Sequence, residues 1–591
     1  MTLRIANCSG FLGDRRTGPK EMVEGGPIDY LTGDWLAELT MSILAKQRGR
    51  DPEAGYPASF VEQMSDVLST CHDRGITVIA NAGGVNPHGC ADALRAVADR
   101  QGLDLTIAVV DGDDITDRFA VWQEQGWLAA HLDSGAPFAT TGLTPTVVNA
   151  YLGCWGIVEA LRDGADIVVT GRVSDASPIV AAAAAHYGWT PHDLDRLAGA
   201  VVAGHIIECS AQATGGNFAF FTENRHPHHP GFPIAEIEPD GSVVITKHEG
   251  TAGMVTVDTV TAQLLYEIDG PRYANPDVIA RLDELVVEQV GTDRVRVSGA
   301  FGEQIPSVLK AGAVADYGWS TEMTMLVTGL DRDRKVDYAL NQLWAEFPRG
   351  RETFADVEVN VIGGGAEDPR SLDEATALLR VAVADQDKAL VNRFSRVVVE
   401  LLLGGYPGMA LTSPPARARQ RQLFWPTLIP ADRVRERVTI RGTTREVERA
   451  RAETVRDVPL AVPPRSPEQA GGDMISAPLG RIAGSRSGDK GGNATLGIWA
   501  RTDAAHEFLC SWWTPEHVTD LLRAPADTPL RLWHLPNLRA VGVTVVGWLD
   551  RGTATNILLD TQAKGLGEFV RARHIDIPRT LLDGEPGILR A

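Results

Sequence analysis

The sequence predicts an α/β protein: a mostly parallel sheet flanked by helices with a β-rich insertion, then a C-terminal ferredoxin-like α+β domain. Three observations carry this. First, the apolar runs Leu3-Arg4-Ile5-Ala6, Ile76-Thr77-Val78-Ile79-Ala80, Thr106-Ile107-Ala108-Val109-Val110 and Asp166-Ile167-Val168-Val169-Thr170 are continuous rather than alternating. Strands of that kind are buried on both faces. Second, each run enters a loop rich in Gly, Asn, Asp or Ser and then a helix-like segment, and strand–helix alternation makes a covered parallel sheet the economical fold. Third, Val462-Pro463-Pro464-Arg465-Ser466-Pro467-Glu468-Gln469-Ala470-Gly471-Gly472 has linker composition and separates off a small last unit.

The remaining elements follow in order. Residues 234–310 contain shorter strand-like runs, at 242–246 and 254–261, and are read as the β-rich portion of a first domain spanning 1–461. Residues 397–403 read as another apolar strand, ending in Gly404-Gly405-Tyr406-Pro407-Gly408. Arginines mixed with glutamates between 417 and 456 suggest a solvated helix or a subunit contact. After a linker at 462–475, the domain 476–591 shows strands at 479–485 and 494–501 around a Gly-rich turn. A helix at 506–522, strands at 530–535 and 540–549 and a helix at 561–574 complete a ferredoxin-like pattern.

Composition excludes several classes. A chain of 591 residues exceeds one hydrophobic core. The formal net charge of -21 opposes broad attraction to nucleic acid. No apolar run reaches the roughly 18–20 residues of a membrane span, and the N-terminal residues lack signal-peptide anatomy. The six cysteines are scattered without a CxxC pair, which argues against a disulfide framework or a zinc ribbon and for a reducing cytoplasm. A homo-oligomer is the base-rate expectation for such a protein. No metal and no separate cofactor are expected.

Four segments concentrate chemistry. Asn81–Gly89, with Asn81, Gly83, Gly84, Asn86 and His88, puts glycines between a strand and a helix start, where backbone N–H groups can face an anion. It lacks the GxGxxG spacing of a dinucleotide loop. Arg172, Ser174 and Asp175 follow another strand end; helix capping explains one of the polar side chains, and a ligand contact would use the others. His205, Glu208 and Cys209 share a face if the helix from Leu194 continues, so that glutamate can act as acid or base and histidine can support a thiolate. Thr214, Gly215, Gly216 and Asn217 then offer N–H donors to an oxyanion. In the last domain, Arg486, Ser487, Asp489 and Lys490 lie in a Gly-rich charged stretch suited to an anion. The run Asn224-Arg225-His226-Pro227-His228-His229-Pro230 lacks a helical register and reads as an exposed loop rather than a metal site.

Several of these blocks occur together in one family. Asn7-Cys8-Ser9-Gly10-Phe11-Leu12-Gly13-Asp14, Asn81-Ala82-Gly83-Gly84, Thr170-Gly171-Arg172-Val173-Ser174-Asp175-Ala176-Ser177 and Glu208-Cys209-Ser210-Ala211-Gln212-Ala213-Thr214-Gly215-Gly216-Asn217 resemble the acyclic terpene utilisation (AtuA-type) family. Arg486-Ser487-Gly488-Asp489-Lys490-Gly491 resembles that family's appended ferredoxin-fold domain. The resemblance implies a place in the breakdown of citronellol- and geraniol-like acids as CoA thioesters, and it adds Asn7 and Ser9 to the candidate binding residues.

The leading expectation is an enzyme acting on an acyl-CoA or related carboxylic acid by acid/base chemistry, a lyase or hydratase, with Glu208, His205 or Asp175 moving the proton. CoA enters only as part of the substrate. The alternatives are a thioester hydrolase or acyl transferase using Cys209, and a non-catalytic subunit of an acyl-CoA pathway complex.

Overall fold

The computed structural model describes residues 2–128, 130–224, 228–450, 456, 459–460 and 473–582. The linker expected at 462–475 therefore lies outside the described residues up to Gly472, as do residues 225–227 of the histidine-rich run.

Eight strands open the chain: β1 (Leu3–Asn7), β2 (Tyr30–Gly33), β3 (Thr77–Ala80), β4 (Ile107–Asp111), β5 (Val147–Ala150), β6 (Ile167–Thr170), β7 (Pro233–Ile237) and β8 (Val243–Lys247). All but β5 join an 11-stranded sheet, in the order Val286–Gly291, Arg294–Ser298, β8, β7, β1, β2, β3, β6, β4, Arg437–Ile440, Thr443–Glu446. β1, β2, β3, β6 and β4 pair in parallel; all other pairings are antiparallel. The sheet is thus mixed, with a parallel centre and antiparallel flanks, rather than mostly parallel. The reason is connection length. β7 and β8 are joined by the tight turn at Asp240-Gly241, with Gly241 at φ +89°, whereas a parallel crossover needs a dozen or more residues.

The uninterrupted apolar runs have the expected cause. In β6, Val168 packs with the helices Trp155–Arg162, Ser177–Tyr187 and Leu194–Ile207 on one face. Ile167 and Val169 pack with Ala58–Ser65 and Pro87–Gln101 on the other. Both faces being buried, apolar residues follow one another along the strand, and the polar Thr170 comes only at its carboxyl end.

A second, antiparallel sheet is centred on the 21-residue strand Val308–Thr328, which bends at a register shift between Asp316 and Trp319. It pairs with β5, Thr376–Asp385, Ala410–Leu411 and Arg419–Pro430. Three sequence expectations change in these regions. Residues 397–403 are not a strand: they end the helix Lys388–Glu400 and continue as a 3-10 turn, because Val391, Phe394, Val397 and Val398 recur at helical spacing on its buried side. Asp387 caps it, accepting from the Ala389 N–H at 2.8 Å. Residues 257–264 are likewise helical, started by a reciprocal Thr256–Thr259 capping box. The arginine-dense stretch forms the strands Arg419–Pro430, Arg437–Ile440 and Thr443–Glu446, not a helix. Its arginines pair with acids elsewhere, Arg421 with Asp356 and Arg437 with Asp111.

The last unit is a four-stranded antiparallel sheet in the order Ala483–Lys490, Asn493–Ala500, Ala540–Val545, Leu530–Leu535, with the helices Asp503–Trp512, Pro515–Leu522 and Leu566–Ala572. The Gly-rich stretch expected to be a turn is a strand, and only Gly491-Gly492 turn the chain. Its glycines serve packing: a Cβ on Gly484 would lie 2.3 Å from the Trp499 ring, and one on Gly488 2.5 Å from the Tyr266 ring. Leu496, Ile498, Val541 and Val543 build this unit's own core. Trp499, Trp533 and Leu535 instead join the core around Leu264 and Leu265 of the first domain. The small sheet is therefore docked by one whole face.

Candidate functional site

The carboxyl ends of the parallel strands form a rim where buried charges meet. After β6, the Arg172 N–H donates to Asp113 Oδ2 at 2.8 Å, and Asn149 Nδ2 donates to the same oxygen at 2.7 Å. Burial still pushes Asp113 up to about 7. Gly171 permits this approach, since a Cβ there would lie 2.2 Å from Asp113 Oδ1. The buried Arg172 guanidinium donates to Asp175 Oδ1 at 2.5 Å and to the Val173 carbonyl at 3.0 Å, and it lies 4.2 Å from the Tyr151 ring centroid.

After β2 comes Asp34, a buried carboxyl whose Oδ1 accepts from the Leu36 N–H at 2.9 Å and from Asn81 Nδ2 at 2.5 Å. Asn81, just past β3, is itself held by the Trp35 N–H, which donates to its Oδ1 at 2.8 Å. Burial raises the Asp34 pKa well above the usual range, the neighbouring Asp175 adds to this, and Arg172 and Asn81 oppose it.

The helix Leu194–Ile207 delivers the third component. Glu208 caps its end in helical conformation, so the spacing expected from sequence survives: His205 Nδ1 lies 3.3 Å from Glu208 Oε1. Asn7 Nδ2 secures this helix end by donating to the carbonyls of Ile207 (2.8 Å) and Glu208 (3.2 Å). Glu208 Oε2 is buried with no hydrogen-bond partner among the described residues. Burial, then the Asp175 charge, drives the Glu208 pKa well up. Burial, then Lys490, pushes His205 down to about 4, leaving it neutral. The His205 ring contacts the Tyr273 ring at 4.5 Å between centroids.

The C-terminal unit faces this rim. Lys490 Nζ stands 5.8 Å from the Tyr273 centroid, and its charge acts on both His205 and Glu208. Arg486 stacks on Tyr266 at 4.2 Å and donates to Gln212 Oε1 and, at 3.4 Å, to the Asn217 carbonyl. Lys564 bridges Tyr266, Glu267 (3.2 Å) and Asp489 (3.3 Å). Glu267 holds φ +55°, a conformation rare for residues other than glycine, and its charge acts on Glu208, Cys209 and Tyr273.

Other candidates do structural work. The N–H groups of Gly83, Val85 and Asn86 donate to the Thr170, Gly55 and Gly83 carbonyls at 2.9–3.0 Å, and that of Gly84 to Asn81 at 3.5 Å, so these four donors are used within the fold. Asn86 caps the Pro87–Gln101 helix while its Nδ2 holds the Glu53 and Ala54 carbonyls. His88 Nε2 lies 2.7 Å from Asp111, which also pairs with Arg437, and its side chain is half exposed. Thr214 bonds the Ala211 and Gly231 carbonyls; the Gly215 and Gly216 N–H groups close the turn onto Gln212 and Ala211. Ser9 donates to the Asp34 carbonyl at 3.0 Å, Ser174 to Asn275 Oδ1 at 2.6 Å, and Ser487 to the Ala563 carbonyl at 2.7 Å. Cys209 leaves the helical register; burial and then the Glu208 charge raise its thiol pKa well above normal, against thiolate formation. No group of three or more His, Cys, Asp or Glu among the described residues is arranged to hold a metal ion, and no helix among them is long and apolar enough to cross a membrane.

Sequence reasoning missed Asp34, Glu267, Tyr266, Tyr273 and Lys564. Asp34 carried a signal, because it directly follows a parallel strand and such strand ends gather ligands. The other four sit in no motif and reach the rim only through packing.

Two family models match. The acyclic terpene utilisation family protein AtuA matches residues 3–440, and the AtuA ferredoxin-like domain matches residues 477–576. No curated protein matches the chain. With most of its length and its last unit both accounted for, the chain belongs to the acyclic terpene utilisation family AtuA and carries that family's ferredoxin-like domain.

Proposed function

We propose that the chain is an enzyme of acyl-CoA or carboxylic acid catabolism, of lyase or hydratase type, in which Glu208 transfers a proton to or from the substrate. One observation carries this reading: Glu208 Oε2 is buried with no hydrogen-bond partner among the described residues, and the charges of Lys490 and Arg172 act on Glu208. A buried carboxyl without donors holds its proton near neutrality, as a general acid requires. A thioester or carboxylate acidifies its α-carbon, and the enolate oxygen then needs positive charge nearby. Arg172, fixed by Asp175 and Tyr151, and Lys490 of the ferredoxin-like domain supply it. CoA is part of the substrate in this scheme. The family's link to acyclic terpene utilisation supports a branched acyl chain.

The test is Glu208→Gln, assayed on a CoA-ester panel by mass spectrometry. Turnover should fall about 10²–10⁴-fold, the usual span of general acid–base catalysis, with little change in KM. A folded variant with wild-type turnover removes Glu208 from the mechanism.

A further inference from the structure

We propose that Tyr273 is the oxyanion donor of this site, its phenolic O–H bonding the thioester oxygen as that oxygen becomes an enolate. The inference rests on the acid/base reading above and deepens it by naming the group that receives the developing charge.

Direct contacts place Tyr273. It is the middle residue of the short strand Arg272–Ala274, which pairs antiparallel with Ile279–Arg281. Side chains alternate along a strand: Arg272 and Ala274 are exposed, and Tyr273 between them is half-buried. Its ring packs on that of His205, 4.5 Å between centroids, and His205 Nδ1 lies 3.3 Å from Glu208 Oε1. Two residues on, Asn275 Oδ1 accepts from Ser174 at 2.6 Å, in the loop that carries the Arg172–Asp175 pair. From the ferredoxin-like domain, Lys490 Nζ stands 5.8 Å from the Tyr273 centroid. The segment 273–275 thus touches the helix end of Glu208, the loop of Arg172 and the cation of the second domain.

The phenol is uncommitted. Among the described residues, none takes a hydrogen bond from its O–H, although a tyrosine packed this closely usually finds a partner. Glu208 Oε2, reached through the same His205, has none either. Lys490 is exposed and makes no ion pair with a described residue. Burial, and then the Glu208 charge, raises the Tyr273 pKa well above the usual phenol value, so the group stays a donor. A neutral donor and a nearby cation are what a developing enolate oxygen needs.

The proton step balances with Tyr273 as a spectator of its own proton. When the Glu208 proton moves to the α-carbon, the C=C pair of the enolate forms the C–H bond and the oxygen's pair restores C=O. Glu208 is left ionised, and solvent returns its proton. Tyr273 only gives and loosens a hydrogen bond, and no oxidant or reductant is needed.

Acetoacetyl-CoA tests the role without turnover, because it loses its own α-proton to solvent and its enolate has a distinct near-ultraviolet band. The full chain should bring out that band on binding. Tyr273→Phe, which keeps the ring contact with His205, should weaken it about tenfold or more at saturating ligand, and should lower turnover of a CoA ester about 10²-fold with little change in KM. Its Tm should match wild type, since the O–H holds nothing in the fold. A wild-type band in Tyr273→Phe overturns the assignment, and so does a marked fall in Tm, which would make the hydroxyl a structural group. If Glu208→Gln keeps wild-type turnover while Tyr273→Phe loses the band, the Glu208 reading falls and Tyr273 stands. If the wild-type chain shows no band, the thioester reading falls and takes the donor role with it.

Discussion

Arg486 of the ferredoxin-like domain lies flat over Tyr266 of the first domain, 4.2 Å from its ring centroid. The neighbouring residue Glu267 is one of the charges that set the state of Glu208. The seam between the domains and the proposed site are thus adjacent residues of one corner, and perturbing the seam should register in both stability and turnover.

Gly488→Ala is the direct perturbation. Its Cβ would meet the Tyr266 ring at 2.5 Å and Glu267 Oε1 at 3.1 Å. Overpacking of this kind costs about 1–3 kcal/mol, which urea denaturation will read, and a lower kcat should accompany it. An alanine variant of unchanged stability shows that the seam is looser than the structure indicates.

Glu208 should weaken the fold that it serves. Its folded-state pKa is raised, first by burial and then by Asp175. Its contribution to stability is therefore fully present below the unfolded carboxyl pKa and is lost as pH rises through the folded value. Glu208→Gln should consequently have a higher Tm than wild type at neutral and alkaline pH, with the difference vanishing in acid. A lower Tm at alkaline pH contradicts this sign.

His205 acts in the other direction. Its pKa falls from 6.5 to about 4, mainly through burial. The folded state resists protonation, so stability is intact above 6.5 and declines as pH drops toward 4, by about 3 kcal/mol at most for this group. His205→Gln should flatten that part of the stability–pH curve in denaturant titrations. An unchanged slope shows that His205 is accessible to protons in the native state.

Cys209 should prove inert. Burial and the charges of Glu208 and Glu267 oppose its thiolate, so at neutral pH the half-buried thiol should react with iodoacetamide far more slowly than a free cysteine. Cys209→Ser should keep turnover within about threefold, a small energetic change. Trapping an acyl group on Cys209 would restore the thioester hydrolase reading.

How much of this was legible beforehand depended on whether a signal was local. The buried parallel strands announced themselves by unbroken β-branched runs, and the His205–Glu208 pair by a three-residue spacing that needed only the Leu194–Ile207 helix. Val397-Val398-Val399 misled because β-branched composition outweighed the helical spacing of Val391, Phe394 and Val398. Gly488 read as part of a turn, whereas it makes room for the Tyr266 ring, which no local window contains. Glu267 and Lys564 are 297 residues apart and meet only in the folded chain. Tertiary packing alone assigns them a place.

The docking of the small sheet by Trp499, Trp533 and Leu535 has a consequence for biosynthesis. The ribosome finishes every parallel strand of the rim, and Leu264 and Leu265, before it makes the surface that covers them. The nascent first domain must carry an uncovered apolar seam and hydrated acids until the final segment emerges. Glu208 meets the charge of Lys490 only in the completed polypeptide, so a prematurely terminated chain bares its apolar seam and lacks a cation of the proposed site.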